Sequence, residues 1–187
     1  MTLLEILNEL GCTPYTFPED IDKRIEEMCN LNNYTVLEVP ERGCLNYNFL
    51  MTHAFSNKED FTKTRNAVIQ LDRINKCNAV INSAEHVKMI VVRSSDFIDY
   101  SKEEIELALW HEIGHLVNDT LDERIADEYA IYQLSDIYDN AEYIYLRWLI
   151  KEYNVDRTTG KYNFDPIRCK RYEHRKEWIE DYIPECF

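Results

Sequence analysis

The stretch HEIGHLVNDTLDERIADEYA, residues 111–130, decides how this chain folds and what chemistry it can carry. His111 and His115 stand four apart, with Glu112 and Gly114 between them. On a helix, residues four apart lie one above the other, so both imidazoles can be offered to one metal ion while Glu112 sits beside them. Upstream, Ser101-Lys102-Glu103-Glu104 reads as a helix start, Ser101 being the N-cap and Glu104 able to close a capping box. Ile105, Leu109, Ile113 and Leu116 form an apolar stripe, and Leu107, Trp110 and Val117 add apolar surface elsewhere, so this helix should be largely buried. Histidines inside such a helix need polar partners or a metal.

Two imidazoles do not complete a metal site. Zinc takes at least a third protein ligand, and catalysis leaves a position open for water. Asn118-Asp119-Thr120 reads as a short turn and 121–134 as a second helix, which together make an antiparallel hairpin. Counted outward from Asp119, His115 falls opposite Glu123 and His111 opposite Asp127. The four-residue step of the histidines is thus mirrored by a four-residue step of carboxylates on one face. Glu123 is the expected third ligand, with Asp119, Asp122 and Glu128 as substitutes. Asp127 is expected to accept the outer N–H of His111 and fix its tautomer, unless it is a surface carboxylate. Thr120-x-x-Glu123 also reads as a capping box, which would give Glu123 a purely local role.

The spacing of His111, Glu112 and His115 is the H-E-x-x-H pattern of zinc peptidases, in which the glutamate is the general base. Together with Glu123-Arg124-Ile125-Ala126-Asp127-Glu128-Tyr129-Ala130, it resembles the ImmA/IrrE-type metallopeptidases, whose H-E-x-G-H helix is followed by an E-x-x-A-(D or N)-x-(F or Y)-A pattern. The resemblance covers roughly residues 87–134. It departs in two places: the gap from His115 to Glu123 is shorter than usual there, and Ser135-Asp136 stand where that family has Met-Pro. The metzincin pattern fits less well, because its third ligand would fall on Leu121. The resemblance implies a gluzincin-like Zn2+ site of His111, His115 and Glu123, with Glu112 catalytic. It further implies regulatory proteolysis of one or few protein substrates, a DNA-binding repressor among them.

Residues 86–93 are rich in β-branched side chains and read as a strand, following a turn at Asn82-Ser83. In zincins an edge strand at this place holds the substrate extended over the metal; the other reading is a plain core strand. Elsewhere, Thr2-x-x-Glu5 reads as a helix cap, and Ile21, Ile25, Met28 and Cys29 as the stripe of a second helix. Residues 34–39 and 45–51 read as strands about a turn at Pro40 to Gly43, and 56–76 as a helix. After the hairpin, 141–153 reads as helix, Thr159-Gly160 as turn, and Asp165-Pro166 as the start of a helix reaching Tyr182. Tyr129, Tyr132, Tyr172 and His174 are candidates for the donor to an oxyanion.

The expected fold is α+β: a mostly helical, zincin-like domain with a small, mainly antiparallel sheet and a catalytic helix hairpin. A length of 187 residues suits a single domain, with a catalytic core at about 85–135. A net charge of −14 argues against direct nucleic-acid binding, and the basic run from Arg168 to Arg175 reads as a solvated helix face. Six cysteines without a C-x-x-C pair, and no basic flank before an apolar run at the N-terminus, lead to an expectation of reduced thiols in the cytoplasm. No apolar run has the length of a membrane span. The alternative function is a non-catalytic, zinc-containing regulatory binding protein, for which Glu112 beside its ligand would have no use.

Overall fold

The computed structural model describes residues 8, 11–38, 77–82, 87–92, 94–120, 122–155, 161–162 and 173–182. Two units are distinguished, Met1–Asp99 and Tyr100–Phe187. The expected helix cap at Thr2, strand at 45–51, helix at 56–76, turn at Thr159-Gly160 and helix start at Asp165 lie outside the described residues.

In the first unit, Asp22 caps α1 (Lys23–Leu31) by accepting from the Arg24 N–H at 3.0 Å. The stripe expected from spacing turns inward at Ile21, Ile25 and Cys29, all buried. Burial and the neighbouring Glu26 push the Cys29 thiol up to about 11, so it stays protonated and inert at neutral pH. Asn33, at φ 54, takes the left-handed conformation that ends a helix, and the chain then enters β2 (Thr35–Glu38). The other described strands are β1 (Thr13–Pro14), β3 (Cys77–Asn82) and β4 (Val87–Val92), in the sheet order β1-β2-β4-β3.

Two of the three pairings are antiparallel, as expected; β2 and β4 run parallel, with Thr35 opposite Met89. β3 and β4 form the expected antiparallel pair, with Asn82 opposite Val87. One expectation is corrected. β4 has a hydrogen-bonded neighbour on each side, so it is an interior strand and cannot take an added peptide strand. Its buried Ile90 and Val92 suit that position.

The second unit is helical. α2 (Lys102–Val117) opens with the expected capping box: the Ser101 N–H donates to the Glu104 carboxylate at 2.7 Å, and the Glu104 N–H donates to Ser101 Oγ at 3.4 Å. From Leu107 to Leu116 every side chain is buried. Two of the three buried acidic residues of this helix, Glu104 and Glu106, meet donors from elsewhere. Glu104 pairs with Arg147 at 3.2 Å and Lys151 at 2.6 Å, and Glu106 accepts from the Tyr138 hydroxyl at 2.7 Å. α3 (Glu123–Ser135), α4 (Ala141–Glu152) and α5 (Glu173–Tyr182) are the other described helices of the unit. Among the described residues, no helix is long and apolar enough to cross a membrane.

Candidate metal centre

The site begins with the closeness of α2 and α3. A Cβ on Gly114 would stand 3.1 Å from both the Cα and the carbonyl oxygen of Ala126, so glycine is what lets the two backbones approach. The turn between the helices is longer than expected. Asn118 and Asp119 follow α2, Asp119 at φ 48, and α3 starts only at Glu123. Its cap is Asp122, which accepts from the Arg124 N–H at 2.9 Å, and not Thr120. The Thr120 hydroxyl accepts instead from the Asp122 N–H at 3.0 Å.

This turn brings His111, His115 and Glu123 together. The Nε2 atoms of the two histidines lie 3.1 Å apart, and Glu123 Oε2 lies 3.3 Å from the first and 3.5 Å from the second. All three side chains are buried, and this group could hold a metal ion. The outer ring nitrogens are engaged as well. His115 Nδ1 stands 3.0 Å from the carbonyl oxygen of Thr120, so it carries the proton and leaves Nε2 with a lone pair. His111 Nδ1 reaches Asp127 Oδ1 at 2.7 Å, an ion-pair distance, though poorly aligned for a hydrogen bond. Glu112 Oε1 lies 4.0 Å from His111 Nε2. The substitutes Asp119, Asp122 and Glu128 are all exposed and outside this cluster.

Asp127 is buried rather than superficial, and around it stand Tyr145 and Arg175, which the sequence did not mark as site residues, beside the oxyanion candidate His174. Its Oδ2 accepts from the Tyr145 hydroxyl at 2.7 Å, His174 Nε2 at 2.8 Å and Arg175 Nε at 2.6 Å, while Arg175 also donates to Oδ1 at 2.8 Å. Arg175 is 4 % exposed, so the basic run ending there is not simply a solvated face. No local pattern announces such contacts, since the partners are 18, 47 and 48 residues from Asp127. As for the oxyanion candidates, His174 is engaged on Asp127, Tyr132 is 65 % exposed, and Tyr129 lies edge-on to Trp110. Tyr172 is outside the described residues.

Electrostatics follow from this crowding. Burial works against a charge on His111, but Asp127, Glu123 and Glu112 outweigh it and raise its pKa to about 10. Burial likewise opposes the Glu123 charge, yet His111, His115 and Arg175 hold its carboxyl well below the usual range. Asp127 is also held low, burial being outweighed by Arg175 and His111. Three buried carboxylates, Glu112, Glu123 and Asp127, thus stand in or beside the triangle, and the Arg175 guanidinium meets two of them, an excess of negative charge that suits a divalent cation. A proton on His111 and a cation would compete for the same lone pair.

No family model, curated protein or solved structure matches the chain. What the site can do therefore rests on its own residues and on the motifs they form.

Proposed function

We propose that this protein is a zinc metallopeptidase that hydrolyses a peptide bond in a specific protein substrate. The observation that carries this reading is the triangle of His111 Nε2, His115 Nε2 and Glu123 Oε2, with sides of 3.1, 3.3 and 3.5 Å and the Glu112 carboxylate beside it. Donors placed tetrahedrally around zinc at its usual bond lengths stand roughly 3.3–3.4 Å apart. The donor set supports the same ion, since two imidazoles and one carboxylate suit zinc, whereas calcium and magnesium take oxygen cages. Three protein ligands leave the fourth position open, as a catalytic site requires.

His111, His115 and Glu123 would hold the ion. When bound, zinc supplies Lewis acidity toward the scissile carbonyl and toward an attacking water. Glu112 acts as the base that takes the water's proton and returns it to the leaving amine nitrogen. His111, His115 and Arg175 favour the anion of Glu123, the form that would bind a metal. Asp127 holds the His111 ring by its Nδ1 side, leaving Nε2 as the donor.

The substrate class follows from the resemblance to ImmA/IrrE-type enzymes, and a DNA-binding repressor is the substrate proposed. The net charge of −14 supports it to this extent: a protein with a basic DNA-binding face would be attracted to so acidic an enzyme.

Purified without chelators, the protein should carry about one zinc per chain by elemental analysis. Glu112→Gln should keep the zinc and lose cleavage of an internally quenched peptide library by about 100-fold or more. Metal content near zero would end the zinc reading, and an unchanged cleavage rate in Glu112→Gln would remove its role as base. A zinc-loaded wild type without cleavage would favour the regulatory binding protein.

A further inference from the structure

Asp127 is held from several sides. Besides His111 it meets three donors, one from α4 and two from α5. Arg175 differs from the other two because it grips both carboxylate oxygens, Nε on Oδ2 at 2.6 Å and Nη2 on Oδ1 at 2.8 Å. A planar fork that meets both oxygens fixes the rotation of the carboxylate plane as well as its position. Oδ1 is the oxygen that faces His111 Nδ1. The same Nη2 lies 3.5 Å from Glu123 Oε2, so one guanidinium touches both the carboxylate behind His111 and the proposed third ligand.

The guanidinium is itself held. Its central carbon lies 4.9 Å from the centre of the Trp148 ring, and Trp148 stacks on Tyr145 at 6.0 Å. Tyr145 in turn meets Trp178 of α5 edge-on at 5.3 Å. Leaving Asp127 would also take the guanidinium off the Trp148 ring of α4.

We propose that Arg175 is a positioning residue of the metal centre: its fork orients Asp127, which orients His111, so that docking of α5 sets how tightly the site holds its ion. This rests on the zinc reading above. Two effects of Arg175 oppose each other. Its positive charge repels a cation nearby, whereas its geometry preorganises the ligands, and a charge-conserving variant separates them. Arg175→Lys keeps the charge and loses the fork; Tyr145→Phe removes one neutral donor and no charge.

The experiment measures Co2+ and Zn2+ affinity by competition with a chromophoric chelator, and the visible absorption of the Co2+ protein. Circular dichroism confirms folding. Arg175→Lys should bind both ions about 10- to 100-fold more weakly than wild type and change the Co2+ absorption, the range seen when partners of metal ligands are lost. Tyr145→Phe should move both readouts in the same direction by less. Arg147→Met, which disturbs a different buried carboxylate, should leave them unchanged. Wild-type affinity and spectrum in folded Arg175→Lys would overturn the proposal while leaving the zinc reading intact. Equal weakening in Arg147→Met would also overturn it, by showing a general loss of structure. A wild type that binds neither ion would end both.

Discussion

Gly114 shows how one missing side chain sets the geometry of the site. A methyl there would press on the backbone of Ala126 and on Tyr129 Cβ at 3.2 Å, none of which is the yielding end of a side chain. Alanine is the better helix former by about 1 kcal/mol. Overpacking against backbone costs about 1–3 kcal/mol, so the clash should win. Gly114→Ala is expected to lower the urea midpoint, a net loss of up to about 2 kcal/mol, and to weaken zinc binding, because the hairpin must open to admit the methyl. A raised midpoint with unchanged metal affinity would mean that the hairpin has slack. The residue scale was legible in part. The pairing of His111 with Asp127 could be counted from the four-residue steps, because both lie on one local hairpin. Arg175 could not: a contact 48 residues away leaves no periodic trace in a basic run.

Among the elements, α2 was the easiest to read, since its capping box and stripe are local facts, and the structure bears out both. The start of α3 was harder. Thr120 and Asp122 both have capping chemistry, and Asp122 prevails because the Thr120 carbonyl accepts from His115 and its hydroxyl accepts from the Asp122 N–H. β4 was read correctly as a strand, but a strand's neighbours are long-range facts, and whether it lay at an edge could not be taken from 86–93 alone. The buried acids of α2 give a test at this scale. Arg147→Met alone should cost about 1 kcal/mol or less, because Lys151 still reaches Glu104 at 2.6 Å and both cations are partly solvated. Adding Lys151→Met leaves a fully buried carboxylate without either cation, and the pair should cost about 3–5 kcal/mol in denaturant unfolding. Additive small losses would show that the two cations are dispensable for burying Glu104.

For the molecule as a whole, binding an ion should be felt as stability. The three donors lie on α2 and α3, so zinc at about a thousand times its dissociation constant should stabilise by about 4 kcal/mol. Hydrogen exchange should slow in α2 and α3, and in α5 if Arg175 ties it to the site. A chelator should reverse both. Exchange in α1 belongs to the other unit and is expected to change least. Uniform slowing throughout the chain would instead mean that both units unfold together.

The two histidines differ in what secures them. His111 leans on a side chain, so a single substitution at Asp127 can unseat it. His115 leans on the Thr120 backbone carbonyl, which every amino acid possesses. Its orientation is therefore immune to the lettering of the turn and vulnerable to its length: a residue inserted or deleted between Asn118 and Asp122 would displace the acceptor, whereas exchanging the Thr120 side chain would not. Across descendants of this gene, position 120 should drift freely in composition while the turn keeps its count.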